Sequence, residues 1–370
     1  MSSASRSWHA QAEALLLPAG AMVAALLAFG VFVWFGGNDP VEVWSLLFRG
    51  AFGDAFSWQN SLQRAAPLML TALAVALPAR AGLTVIGGEG ALVLGALGCA
   101  GLPYLVPLPA NGLGSLLALA AGALVGGLWV ALAGALRQWR GVNETISSLL
   151  LAYIAIALFK HFVEGPMRDP ASLNKPSTRS LDPGLRIGAI APDSLLLGDV
   201  HWGLVIGLLL CLAAGVWLSF TASGFALRVV GGNARTARLV GLPTDRLILT
   251  ACALGGGCAG LAGAVEVAAV HNAANASVIA GLGYTGILVS FVARHNPWAI
   301  PPVALLFGGF AAAGSLLQRR LGLPDASVLV LQGFAFVFIL AAEALRGRLL
   351  PLTMPALGKP RLATVAGRAA

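Results

Sequence analysis

Roughly ten stretches of this chain are apolar for about the 20 residues that a helix needs to cross a bilayer core. They run approximately from 13 to 35, 62 to 79, 86 to 106, 113 to 136, 145 to 162, 202 to 221, 247 to 269, 278 to 293, 298 to 316 and 326 to 345. A water-facing surface cannot be built around them. Only 10% of the 370 residues are charged and 58% are hydrophobic, whereas a soluble domain carries roughly 25% charged residues. The expected fold is therefore all-α, a polytopic membrane bundle of about ten spans. The 47 glycines and 20 prolines suit such a bundle, because small residues let membrane helices approach closely. The eighth run is short and punctuated by glycine, and the third opens on a similar interruption. Both are expected to be short, broken or re-entrant segments. The first run ends in bulky Phe32, Trp34 and Phe35 instead of a small-residue cleavage site, so it reads as a retained helix.

The net charge of +8 does not mark a nucleic-acid binder, since the basic residues are dispersed through short loops between apolar runs and form no patch. They speak to topology. With the amino terminus in the cytosol, 14 of the 23 Lys and Arg residues fall on that side and 9 on the other, which favours both termini inside. Outside the spans on this count lie a cytosolic tail over 1–12, an external loop holding Asp39, Glu42 and Asp54, a second external loop over 163–200, a basic cytosolic loop over 223–246, a cytosolic tail over 346–370 and shorter connections.

Catalytic and metal motifs are missing. Cys99, Cys211, Cys252 and Cys258 lie in apolar runs without CxxC spacing, and the five histidines have no paired spacing, so no metal site is expected. GxGxxG occurs at Gly255, Gly257, Gly260 and at Gly281, Gly283, Gly286. Neither follows a strand, so helix packing or local unwinding explains them better than dinucleotide binding. Gly122 with Gly126, and Gly256 with Gly260, repeat the GxxxG spacing of close helix crossings. No GxxxxGK[ST] loop exists, so any nucleotide-driven motor is a different chain.

Ionisable residues in apolar context are candidates for function. Glu89 sits between Gly88 and Gly90, where a permissive backbone can break a helix and expose amide groups. Glu266 falls near the outer end of its span. In the cytosolic loop, Asn233 is a good N-cap for a helix over 234–240, with Gly241 at C′ and Pro243 stopping it. That helix would place Ala234, Ala237 and Val240 on one face and Arg235 and Arg238 on another. Its alternatives are a rigid lever for a partner's groove and a solvated basic loop that fixes topology.

Six segments together resemble the permease subunits of bacterial ABC importers, within the simple-sugar and branched-chain amino acid permease superfamily and closest to the nucleoside type. They are Pro67–Gly90, Gly141–Ala155, Gly224–Leu242, Cys258–Val267, Gly281–Ala299 and Leu331–Phe338. The resemblance implies a permease domain over 13–345 in a bacterial plasma (inner) membrane. It also implies a separate ABC ATPase that binds ATP and Mg, a second and related permease subunit, and an extracytoplasmic solute-binding protein. No cofactor is implied in this chain, nor any partner beyond these and the membrane lipid. Asn233, Arg235, Ala237, Arg238 and Gly241 become the ATPase-coupling residues, and Gly88, Glu89, Gly90, Asn143, Glu144 and Glu266 the translocation path. Relatives of this kind often carry Gln and Asn where this chain has Ala91 and Ala152, which bears on the solute. Alternatives are a pentose or hexose as solute, or an ion-coupled transporter using Glu89 or Glu266.

Overall fold

The computed structural model describes residues 3–195, 197–324 and 326–345. Its helices are α1 (Ser3–Phe35), α2 (Pro40–Phe52), α3 (Ala55–Arg80), α4 (Gly88–Leu105), α5 (Gly112–Arg140), α6 (Glu144–Glu164), α7 (Gly203–Phe220), α8 (Ala222–Gly232), α9 (Ala234–Leu239), α10 (Thr244–Val265), α11 (Leu282–Val292), α12 (Ile300–Leu321) and α13 (Ala326–Leu345). A π-helical turn, Glu266–His271, extends α10. Among the described residues nine helices are long and apolar enough to cross a membrane: α1 from Leu17 on, α3, α4, α5, α6, α7, α10 with its π turn, α12 and α13. The eighth apolar run becomes α11, whose 11 residues reach only about 16 Å at 1.5 Å per residue. The chain is thus an all-α polytopic bundle; of the two runs expected to be short or broken, the eighth gives the short α11, while the third gives α4, long enough to span from Gly88 on.

Helix starts follow local chemistry. Asp39, Asp54, Asn111, Asn143, Thr221 and Asn233 each accept a hydrogen bond from a backbone N–H of the helix they open, satisfying donors that have no intrahelical partner. The middle of the bundle is held by glycine. The GxxxG pairs of α5 and α10 face each other, so closely that a Cβ on Gly126 would stand 2.6 Å from the Gly256 carbonyl oxygen and a Cβ on Gly260 would overlap that of Gly122. Lipid supplies no hydrophobic drive between helices, and backbone approach of this kind provides the packing instead. Helix α3 is the hub, buried without a break from Ala65 to Pro78.

Two ends can be distinguished. At one lie the α5–α6 turn, α8, α9 and the α11–α12 turn. At the other, the segment between α6 and α7 docks on the π turn: Thr178, Leu181 and Ile187 donate backbone N–H groups to the carbonyls of Ala274, Asn272 and Ala268 at 2.9, 2.8 and 2.9 Å. Gln59 of α3 ties the same segment down by donating to the Leu195 carbonyl at 2.8 Å. His201 closes it, buried, with Nδ1 accepting from the Gly203 N–H at 3.2 Å. Burial pushes the His201 imidazole down to about 4.

Four expectations change. Residues from Ser3 on continue the first helix instead of forming a separate tail over 1–12. Helix α2 lies where the sequence suggested only loop; it begins at an Asp39–Pro40 start signal and buries Val43, Leu47, Gly50 and Ala51. The basic loop over 223–246 holds two helices, α8 and α9, with α9 ending at Leu239. Of its expected apolar face only Ala237 is buried, since Ala234 and Val240 are exposed. The tail over 346–370, with Arg346, Arg348, Lys359, Arg361 and Arg368, lies outside the described residues.

Candidate functional site

Two helices begin deep inside the bundle and meet there. Gly286 of α11 packs on Thr71 of α3, which by residue count is about 13 Å from the Arg80 end of α3 and about 24 Å from its Ala55 end. One turn before Gly286, Gly283 lies so close to the backbone of Gly88 and Glu89 that any side chain there would overlap it. Gly281 opens α11 in the left-handed region, at φ 75°. The glycines of the second GxGxxG match thus serve close approach and a turn, not a phosphate.

Glu89 fills the junction. Its side chain is wholly buried, and its carboxylate accepts from the Gly281 N–H at 2.9 Å and the Gly283 N–H at 2.6 Å. Each oxygen accepts one N–H, an arrangement that favours the charged form of a carboxyl. The carboxylate also belongs to the first turn of α4. The positive ends of two helix dipoles therefore converge on one anion, and the unpaired N–H groups of α11 find acceptors at a depth where water cannot serve.

Beside the junction runs a groove between α11 and α13. One cavity of about 450 Å³ is bounded by Ile86, Gly281, Tyr284, Thr285, Gln332 and Phe336, among others. A second, of about 280 Å³, shares Thr285 and Gln332 and reaches Arg64. Thr285 donates to the Gln332 side-chain oxygen at 3.3 Å, joining the two walls. Tyr284 is 39% exposed and Tyr153 of α6 58% exposed, and the Tyr284 hydroxyl stands within electrostatic reach of both Tyr153 and Glu89. The lining is mostly apolar, with a few polar groups and aromatic rings, as in sites for small neutral molecules.

The residues expected on the path fall in three places. Gly88, Glu89 and Gly90 form the junction. Asn143 and Glu144 sit at the α5–α6 turn, where Asn143 caps α6 through the N–H groups of Thr145 and Ile146 and Glu144 pairs with Arg137 at 3.4 Å. Two bonds link that turn to the segment that leads into Glu89: Thr145 donates to the Thr84 carbonyl at 2.9 Å, and the Ile86 N–H donates to Ser148 at 3.1 Å. Glu266 opens the π turn near the opposite end, 3.6 Å from His271. Tyr153, Tyr284, Thr285 and Gln332 were not singled out from the sequence. The available signal was that all three of the chain's tyrosines, Tyr104 among them, lie in apolar runs.

At the α8–α9 end, Asn233 caps α9 through the N–H groups of Arg235 and Thr236 at 3.0 and 3.1 Å. Gly241, at φ 82°, reverses the chain, and the Leu242 N–H donates to the Ala237 carbonyl at 3.0 Å. Arg238 is anchored to Asp245 at 2.9 Å and Gln138 at 3.3 Å. Leu239 and Val240 are left 84% and 70% exposed.

A bundle of membrane-crossing helices with a sparsely charged groove and a rigid, apolar-tipped helix at one end defines a membrane-spanning transport subunit. The family described as "Branched-chain amino acid transport system / permease component" matches residues 57–340. The chain is 32% identical to the glucose ABC transporter permease protein of Haloferax volcanii over 88% of its own length and 87% of the relative's. It is 26% identical to the guanosine ABC transporter permease protein of Bacillus subtilis, covering 90% and 94%. To the nucleoside ABC transporter permease protein of Lactococcus lactis it is 25% identical, covering 91% and 93%. The chain belongs to this permease family: it is a multi-pass transport component and not an enzyme.

Proposed function

We propose that this chain is the membrane-spanning permease of an ATP-binding-cassette importer, carrying a nucleoside or similar small sugar-containing solute by alternating access. The observation that carries the solute class is the junction at Glu89. Where broken helices point free positive ends into a path, they favour anionic groups. Here both ends are already neutralised by a carboxylate that belongs to the protein, leaving Tyr153, Tyr284, Thr285 and Gln332 to meet a neutral, hydroxyl-rich and ring-bearing molecule. Gly88, Glu89 and Gly90 shape this path. Asn143 and Glu144 brace its approach, and Glu266 stands near the far end.

A separate ATPase, which holds ATP and Mg, docks on α9. Leu239 and Val240 are the apolar tip for its groove, Arg235 and Arg238 flank the tip, Ala237 seats the helix on the bundle, and Asn233 and Gly241 fix its two ends. A second permease, itself a related chain, completes the path on the open side of the α11–α13 groove. An extracytoplasmic binding protein delivers solute at the α6–α7 end, with both termini in the cytosol and the chain in a bacterial inner membrane. The similarity to a glucose permease favours a simple sugar as second reading.

The test is Gly241→Pro. Proline fixes φ near −65°, whereas Gly241 needs 82°, so α9 loses its reversal. The expected result is a membrane-inserted permease from which the ATPase no longer co-purifies. An ATPase that stays bound at wild-type levels refutes the docking assignment. Uptake of labelled guanosine against labelled glucose by the assembled transporter separates the two solutes.

A further inference from the structure

We propose that Arg80 is the positioning residue that transmits movement of the α8–α9 unit to α11, and through α11 to the groove. The inference rests on α8–α9 being the docking unit. Arg80 ends α3 and is half-buried. Its Nε donates to the backbone carbonyl of His295 at 2.9 Å, a contact between residues 215 positions apart. Among the described residues it forms no ion pair, and this carbonyl is what its side chain bonds to.

His295 is fastened to the last turn of α11. Its N–H donates to the Ser290 carbonyl at 2.7 Å, its Nδ1 lies 2.9 Å from the Ser290 hydroxyl, and its ring packs edge-on against Phe291 at 4.8 Å. Arg294 and His295 both occupy the left-handed region, at φ 56° and 53°, uncommon for residues with side chains and a mark of a connection held by its surroundings. Arg294 in turn stands 3.6 Å from Glu343 of α13, the other groove wall. Whatever moves the His295 carbonyl moves α11.

The opposite side of Arg80 touches α8. Gly231 of α8 is pressed on the Arg80 carbonyl with no room for a Cβ, and a Cβ on Gly82 would stand 3.0 Å from the Gly231 carbonyl oxygen. Backbone packed on backbone this tightly cannot slide without displacing its neighbour. Asn233, two residues beyond Gly231, is already the cap of α9. The resulting train is α9, α8, Arg80, His295, α11 and then Glu89. Helix α11 is held at its amino end by an anion and at its carboxyl end by a cation, each matching the dipole charge it meets. Such a rod moves as one body.

The experiment uses the assembled transporter in liposomes, with the ATPase and the second permease present, and reads solute imported per ATP hydrolysed. Guanosine or glucose serves as probe, whichever the unaltered complex carries. For R80A the expected result is a bound ATPase that still hydrolyses ATP, with import per ATP lowered at least about tenfold, the scale of a coupling contact. R80K keeps a cationic donor and should recover most of the ratio. If R80A does not accumulate in the membrane, R80M, which fills the space of the stem but places a methyl where the Nε donor stood, takes its place with the same expected loss. An unchanged ratio in the variant that accumulates overturns the proposal, as does R80K behaving like the truncation, or loss of the ATPase from the complex. This last outcome differs from failure of the docking assignment, in which G241P would retain the ATPase.

Discussion

Glu89→Gln tests whether the buried carboxylate holds the half-helices together or serves the solute. The amide offers one acceptor where the carboxylate offers two, and turns an NH2 group toward a backbone N–H. Of the bonds at 2.9 and 2.6 Å one is lost. A hydrogen bond to a charged group is worth about 1.5–3 kcal/mol net, and a buried donor left unpaired costs about 1–3 kcal/mol. Loss of the anion from two helix amino termini removes up to about 2 kcal/mol more in a buried setting. Relief from burying a charge offsets part of the total, so a local destabilisation of about 2–4 kcal/mol is expected at the start of α11. Hydrogen exchange followed by mass spectrometry over 281–286 reads this directly: protection should fall roughly 30-fold to 1,000-fold, while α5 and α10 exchange as before. Uptake should fall with it. Unchanged protection combined with lost uptake would refute the capping argument and make Glu89 a solute contact.

Further expectations are quickly stated. Gly260→Ala inserts a methyl into the contact with Gly122 and Gly126, and should cost about 1–3 kcal/mol, seen as a lower unfolding temperature in detergent; no change would mean that glycine does not set the α5–α10 spacing. Tyr284→Ala should raise the KM for uptake about tenfold while Tyr284→Phe stays near wild type, since stacking needs the ring; equal effects would place the hydroxyl at the centre of recognition. Acid should weaken the fold. His201 and His295 are each pushed down to about 4, His201 by burial and His295 by burial with a contribution from Arg80. The unfolded chain therefore binds more protons, and stability present above pH ~6.5 is lost as pH falls toward 4, at up to about 1.4 kcal/mol per unit for each histidine. His201→Gln should flatten the fall of the unfolding temperature over that window, and an unaltered slope would count against burial as its cause.

Much of the architecture was legible because its signals are local or periodic. Each apolar run became a helix, the GxxxG spacings became the α5–α10 crossing, and Asn233 with Gly241 bounded α9 as cap chemistry requires. Helices α2 and α8 were missed for a physical reason: at 13 and 11 residues they are too short to span, and in a chain searched for spans their mixed faces look like loop. The groove was hidden differently. A tyrosine or glutamine inside a long apolar run does not say which way it faces, because in lipid both faces of a helix are apolar and no amphipathic stripe orients it. Glu89 was conspicuous as a charge among glycines, yet its partners lie 192 and 194 residues further along, beyond any pattern in the sequence.

Under the proposed function, the shortness of helix α11 answers to what a conduit must do at its middle. A full-length helix there would close the groove, while unpaired backbone in the bilayer costs several kcal/mol per group. The chain resolves this by ending α11 where a single side chain can satisfy two of its N–H groups at once, with glycines that let α4 come close enough to supply it. The junction then needs no water, because its N–H groups are satisfied within the protein, while its neighbours Tyr284 and Thr285 line the cavity between α11 and α13. Because this junction fixes the position of α11 relative to α4, the proposed coupling requires that a shift at the far end of α11 act on the groove. Arg80, bonded to that far end and packed on α8, is placed to make that shift.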